Sequence, residues 1–287
     1  MPKKITMTTG ENKIRFQLDG KGKITVYWGD NKSNEYLLED KSISDPEKVN
    51  NTVVEYENNL KHCKHDYIAP YVYNIEIIID TVVTFLDCTI NQITKLNIND
   101  NNDLEELYCH DNQLENLNVE NNYKLKKLHC SQNHLTNLNV CQNARIIELI
   151  FSKNEIKTID VSKNLLLKNL GCSNNELKDL DITNNKNLVN LNCSRNQLRD
   201  LDIQYNSELE ELDCSHNQLT SLDISNNNKI KLLKIINNLL EIDALNNLFY
   251  SLHSNGGIIK ISDNPGTEGC NHSIATDKGW IVSDDPL

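Results

Sequence analysis

The sequence lacks several things that would point to common functions. It has no run approaching the roughly 20 apolar residues that a helix needs to cross a bilayer, and its opening, Met1-Pro2-Lys3-Lys4-Ile5, carries no apolar signal core. Positive charge is scarce: 29 Lys and Arg stand against 41 Asp and Glu, a formal charge of -12. Phosphate recognition needs a basic face, so this balance argues against nucleic acid as a partner and disfavours an anionic membrane surface. No glycine-rich phosphate loop is present. These absences lead to an expectation of no membrane insertion. They also place the protein either in the cytoplasm or, with a leader outside this chain, in a secreted or cell-surface location.

What the sequence has is a period. Leu104, Leu125, Ile146, Leu167, Leu188, Leu209 and Ile230 open successive 21-residue units from about Val83 to Tyr250, each continuing as Leu, any, any, Leu, any, Cys, any, any, Asn, any, Leu. A repeat of this length and spacing predicts a leucine-rich repeat solenoid of about eight coils. The segment around the second leucine, such as Glu106-Leu107-Tyr108-Cys109, alternates outward and inward and reads as a strand. Stacked units then form a parallel sheet, roughly 35 to 40 Å long at about 4.8 Å per strand. Leu107, Leu128, Leu149, Leu170, Leu191, Leu212 and Leu233 make one inward column. With so few residues per coil, the return segments are expected to be extended or 3₁₀-like.

Six of the nine cysteines follow the same period. Cys88, Cys109, Cys130, Cys172, Cys193 and Cys214 share one inward slot, filled by Phe151 and Ile235 in two other coils, where a thiol acts as a small hydrophobe. Cys63, Cys141 and Cys270 fall outside it. Two asparagine ladders accompany the columns: Asn91, Asn112, Asn133, Asn154, Asn175, Asn196, Asn217 and Asn238 after each strand, and Asn101, Asn122, Asn143, Asn164, Asn185, Asn206 and Asn227 before the next. An amide both donates and accepts, so both ladders are assigned to backbone groups that the turns leave unpaired.

Three segments follow: residues 1–80, the repeats at 81–250, and a closing stretch at 251–287. Short alternating runs at Lys13 to Leu18, Lys23 to Trp28, Asn34 to Leu38 and Tyr71 to Ile79, separated by turn residues at Asp19-Gly20 and Gly29-Asp30-Asn31-Lys32, predict a small β-sandwich in front of the solenoid. At the other end, Asp243 to His253 has helical spacing and Ile258 to Ile261 reads as a strand. Ser273 to Lys278 fits one helical turn, and this tail is expected to cap the core together with Cys270. The chain ends soon after, so no sorting motif, enzyme domain or anchor is expected to follow.

The unit from Leu209 to Ser225, with its cysteine slot and Asn217-Gln218-Leu219 turn, resembles the cysteine-containing subclass of bacterial internalin-type repeats. Thr25-Val26-Tyr27-Trp28-Gly29-Asp30 with His65-Asp66-Tyr67 resembles PKD-like domains, and the closing Asp263 to Trp280 resembles tails of repeat proteins from gut Bacteroidetes. The resemblance implies a surface or secreted protein used in adhesion or recognition, and it departs from wall-anchored internalins in lacking an anchor.

Framework positions recur, so the informative positions are those that vary. The outward position between the second leucine and the cysteine reads Asp87, Tyr108, His129, Ile150, Gly171, Asn192, Asp213, Lys234, and the one before that leucine reads Phe85, Glu106, Lys127, Glu148, Asn169, Asn190, Glu211, Leu232. Tyr108, His129 and Ile150 follow one another and are expected to form an aromatic and apolar patch, the first choice for a contact surface. Scattered exposed apolar residues are also ordinary. Glu106, Lys127 and Glu148 alternate in sign and read as a self-neutralising ladder. His62, Cys63, His65 and Asp66, placed on a loop before a strand, have metal-ligand chemistry but lack a second pair. His110 and His129 have no third ligand. Asp160, Asp181, Asp202 and Asp223 recur in the coil turns, so no acid and base face each other, and inward cysteines lack the exposure of a nucleophile.

The reading is therefore a non-enzymatic, cofactor-free, monomeric recognition module that binds a protein through the concave sheet at Phe85, Tyr108, His129 and Ile150. A glycan is the alternative ligand, with Tyr108 stacking on sugar and Asn190, Asn192 and Asp213 bonding hydroxyls. A spacer without a ligand is the third possibility.

Overall fold

A computed structural model describes residues 2–38, 56–57, 60–68, 71–80 and 82–284. It contains two compact units, Met1–Arg145 and Ile146–Leu287.

In the first unit the chain runs β1 (Lys3–Thr9), β2 (Lys13–Tyr27), β3 (Ser33–Leu38), β4 (Tyr56–Glu57), β5 (Leu60–Asp66), β6 (Tyr73–Ile79), β7 (Val82–Asp87), β8 (Ile93–Asn97), β9 (Glu106–Tyr108) and β10 (Lys127–His129). Strict alternation builds β2, burying Ile14, Phe16, Leu18, Ile24 and Val26 while Lys13, Arg15 and Thr25 point away. Its first half pairs with β5 and β7, and its second half pairs with β3 and β6. One strand thus serves two sheets. The expected turn at Asp19-Gly20 is not a chain reversal. The register shifts there, and a Cβ on Gly20 would sit 2.1 Å from the Val82 carbonyl oxygen, so the glycine allows close approach of two backbones.

The second expected turn is present: Trp28 N donates to Lys32 O across Gly29 and Asn31, whose φ values of 85° and 65° suit a glycine and an asparagine. Trp28 is fully buried, its indole N–H donating to Asn34. His62, Cys63, His65 and Asp66 lie on strand β5 and not on a loop. Alternation there sends Cys63 into the core, and His65 stacks on Trp28 at 4.9 Å while bonding Asp30 at 2.9 Å. Burial raises the Asp30 carboxyl, and the bonds from His65 and Lys32 outweigh it, holding the group below its ordinary value. β7 then pairs in parallel with β9, and β9 with β10, so the first coils continue the sheet that β2 begins.

The second unit carries β11 (Glu148–Ile150), β12 (Asn169–Gly171), β13 (Asn190–Asn192), β14 (Glu211–Asp213), β15 (Leu232–Lys234), α1 (Ile242–Ser251), β16 (Gly257–Lys260), α2 (Ser273–Thr276) and β17 (Trp280–Ser283). β11 to β17 form a parallel sheet in register, one three-residue strand per 21-residue coil up to β15. Return segments are turns and extended chain. Leu170, Leu191, Leu212 and Leu233 and the column Phe151, Cys172, Cys193, Cys214 and Ile235 are all at most 2% exposed. α1 lays Leu245, Leu248 and Phe249 onto this core, each worth about 1.5–3 kcal/mol of burial. Trp280 follows, buried, with its indole N–H on the His253 carbonyl.

The asparagine ladders do what an amide can do. Asn196 donates to the carbonyls of Cys172 and Cys193, both at 3.0 Å, and accepts from Leu177 N at 3.0 Å. Asn91 starts the first-unit ladder on β2, accepting from Arg15 N and donating to Arg15 O. Asn264, beyond the period, continues it by bonding the Ile235 and Ile261 carbonyls. The second ladder uses only the donating half of the amide: Asn185 donates to Val161 O and Asn164 O, and its own oxygen is buried without a partner. Asn196→Ala leaves a buried N–H and two carbonyls short of partners. It is expected to lower the unfolding free energy in urea by about 3 kcal/mol, whereas Asn187→Ala on the exposed return should cost less than about 0.5 kcal/mol. Equal effects would refute the structural assignment of the ladder.

Candidate binding face

A three-residue strand buries its middle residue and turns its first and third outward, so each coil offers two side chains to the open face of the sheet. In the first unit this face begins before the repeats. The cross-strand registers place His62, Gln17, Asp87, Tyr108 and His129 in one row over five strands, with Lys64 opposite Arg15 beside it. Phe85 and Tyr108 are 5.5 Å apart between ring centroids, and Tyr108 meets the His129 ring edge-on at 4.7 Å. All three are half-buried. The Tyr108 hydroxyl donates to Glu106, and Lys127 pairs with Glu106 at 3.2 Å, a first-unit segment of the ladder expected to neutralise itself.

In the second unit Ile150, Asn190, Asn192 and Asp213 line one open hollow of about 280 Å³, together with Asn169 and Lys234. Its floor exists because Gly171 stands where the other coils carry a side chain. A Cβ there would lie 2.9 Å from Ile150 Cδ1, so Ile150 leans over the gap. Gly171 is not among the glycines of positive φ, so the backbone does not require it. Asn190 donates to Asn169 at 2.7 Å, the Asn192 carbonyl oxygen is held by Ser194, and Asp213 accepts from Ser215 N. The hollow is an apolar floor inside a rim of amides, the carboxylates of Glu211 and Asp213, and Lys234, which pairs with Asp213 at 3.7 Å.

Of the residues expected to form one patch, Tyr108 and His129 meet in the first unit beside Phe85, whereas Ile150 lies in the second, lining the hollow with Asn190, Asn192 and Asp213. Sequence reasoning missed the contributions of Arg15, Gln17, His62 and Lys64, which lie outside the period. It passed over Gly171, whose signal was a lone glycine in a column of side chains. Among the described residues no three His, Cys, Asp or Glu side chains converge, and His110 sits 3.8 Å from Asp111, with the His129 ring against Tyr108.

The ladder thiols are chemically quiet. Burial pushes Cys130 and Cys172 up to about 12, and Cys109 and Cys193 rise through burial and then through neighbouring thiols. A thiolate is the nucleophile, so these groups lack one at neutral pH. Cys141 and Cys270 are half-exposed.

Fold and face together define the class: a leucine-rich repeat solenoid with a parallel sheet, whose structural neighbours are internalin-type repeat proteins. Among solved structures it is similar to the functional domain of InlJ from Listeria monocytogenes, described as including a cysteine ladder. The two share 30% identity over 67% of this chain and 47% of that one, with a TM-score of 0.53. An internalin, InlF, from the same organism matches at 19% identity over 66% of this chain and 56% of its own, TM-score 0.57. The leucine-rich repeat domain of APL1B matches at 23% over 71% and 63%, TM-score 0.58. The chain spans about half the length of the two Listeria structures. No family model and no curated protein matches the sequence.

A thiol reagent at pH 7 should modify Cys141 first, Cys270 more slowly because burial and then Asp284 raise its thiol, and the six ladder cysteines only on unfolding; prompt modification of the ladder would contradict its burial. A thiol held neutral in the folded chain favours folding while neutral. That contribution is complete below the unfolded thiol value near 8.5 and is lost as pH rises towards 12. Urea midpoints should therefore fall above about pH 9, and replacing Cys130 and Cys172 by alanine should flatten the fall.

Proposed function

We propose that the protein is a non-enzymatic recognition module that binds a protein partner through the outward face of its repeat sheet, as a monomer, at a secreted or cell-surface location in a bacterium. The observation that carries this reading is the contrast along each strand. Leucines, cysteines and asparagines repeat and are consumed by the scaffold, while the outward positions vary and gather Phe85, Tyr108 and His129 into one half-exposed aromatic contact. Aromatic side chains bury much area at low entropic cost, which suits an interface anchor. Likeness to internalin-type proteins supports a binding scaffold. We assign residues 1–80 to a PKD-like β-sandwich, 81–250 to the repeats and 251–287 to a C-terminal cap; packing of two sheets around Trp28 supports the first assignment and the burial of Leu248, Phe249 and Trp280 the last.

The double variant Tyr108→Ala, Ile150→Ser should weaken capture of a protein partner from host or bacterial extracts by roughly 30-fold or more, the cost of losing an anchor worth about 2 kcal/mol. Undiminished capture of the same proteins by the folded variant would defeat the reading. A glycan is the second reading, favoured by the hollow over Gly171, where a sugar would place its C–H face on Ile150 and its hydroxyls on Asn190, Asn192 and Asp213. Gly171→Val fills that floor. It should abolish any glycan-array signal while leaving capture through Tyr108 intact; an array without hits at millimolar sugar would dismiss the glycan.

A further inference from the structure

A depression of about 500 Å³ lies on the open face of β5, β2 and β7 in the first unit, lined by Arg15, Gln17, His62, Lys64, Asp87 and Thr89. Its charges are arranged against the stability of the fold. Arg15 and Lys64 are direct cross-strand partners on antiparallel strands, where opposed like charges repel. Elsewhere in this acidic chain lysines sit beside carboxylates, as Lys23 does with Glu35 at 2.7 Å and Lys4 with Glu76 at 2.6 Å. Among the described residues neither Arg15 nor Lys64 makes an ion pair.

The next cross-strand pair adds a neutral donor. Gln17 faces His62, and the His62 Nε2 atom is buried without a hydrogen-bond partner. The Arg15 backbone is fixed on both sides, its N–H and its carbonyl each bonded to the Asn91 amide at 2.8 and 2.6 Å. The guanidinium is thus carried on a rigid strand. On the far side Asp87 directs its carboxylate to Thr89 N at 3.0 Å, placing one negative charge at the rim.

We infer that this depression binds a single tetrahedral oxyanion, a sulfate or phosphate group, held by the Arg15 fork and the Lys64 ammonium with the Gln17 amide as a further donor. A guanidinium meets such a group with two parallel N–H bonds, and an adjacent ammonium supplies the second charge. Such a group neutralises two cations that face each other across the strands. Asp87 repels a second anionic group along the same row, so the site suits one oxyanion and not an extended polyanion. The site adjoins the aromatic contact of the proposed function, with Asp87 between them in the same row, and uses different residues.

The test uses the full chain at constant ionic strength, following the amides of Arg15, Gln17, His62 and Lys64 by NMR during titration with inorganic sulfate, O-phosphoserine or acetate. Saturable shifts confined to these residues are expected with sulfate or with the phosphate ester, and the stronger of the two identifies a free ion or an ester as the source. Arg15→Gln and Lys64→Gln, separately, should each weaken binding at least tenfold. Each should also raise the urea midpoint in anion-free buffer, because each removes a repulsion; a merely structural cation would lower it. Lys95→Gln, on the other sheet, is the control. Unsaturable shifts, binding unchanged in either Gln variant, or acetate binding as tightly as sulfate would overturn the assignment.

Discussion

A coil of 21 residues reverses direction at both ends of its strand, and each reversal buries backbone N–H and C=O groups that no ladder hydrogen bond can reach. The rest of the structure depends on satisfying them. A side-chain amide alone offers two donors and an acceptor on one short stem, and a column of amides at one position does so for coil after coil. Asn112 shows the device fully: its oxygen accepts from Asn91 N and Ile93 N while its nitrogen serves the Cys88 and Cys109 carbonyls. An unsatisfied buried group costs about 1–3 kcal/mol, so a coil without its asparagine would forfeit much of what its leucines contribute.

That constraint separates scaffold from function. Inward side chains are committed to the core and the amides to the turns, which leaves two outward positions per strand. The chain uses them unevenly. In the first unit they hold an aromatic contact through Phe85, Tyr108 and His129. In the second they hold a hollow at Gly171 ringed by amides. The Gly171 gap removes packing that neighbouring coils have.

Much of this was legible in the residues. The period predicted the strands, the buried columns and the hydrogen-bonding role of both ladders, because each depends on local spacing. The helix at Ile242–Ser251 and the strand at Gly257–Lys260 followed from alternation and glycine breaks. The front of the chain was read less well. Asp19-Gly20 carries the composition of a turn, yet the strand continues through it, because the glycine is there for the Val82 backbone 62 residues later. His62 and His65 looked like one loop cluster. On a strand, neighbours of that spacing divide between faces, so Cys63 and His65 enter the core and His62 remains on the open side.

By itself the sequence determined the repeat, the inward and outward alternation, and which residue types were spent on the scaffold, since these depend on a spacing that every coil restates. It also determined which outward residues differ from coil to coil. Only the tertiary structure decided that β2 belongs to two sheets, that its first half continues the sheet of the first coils, and that Arg15, Gln17, His62 and Lys64 therefore meet on one face. Antiparallel pairing between segments nearly 50 residues apart is governed by register, and register is set by how two buried faces fit and not by any period along the chain.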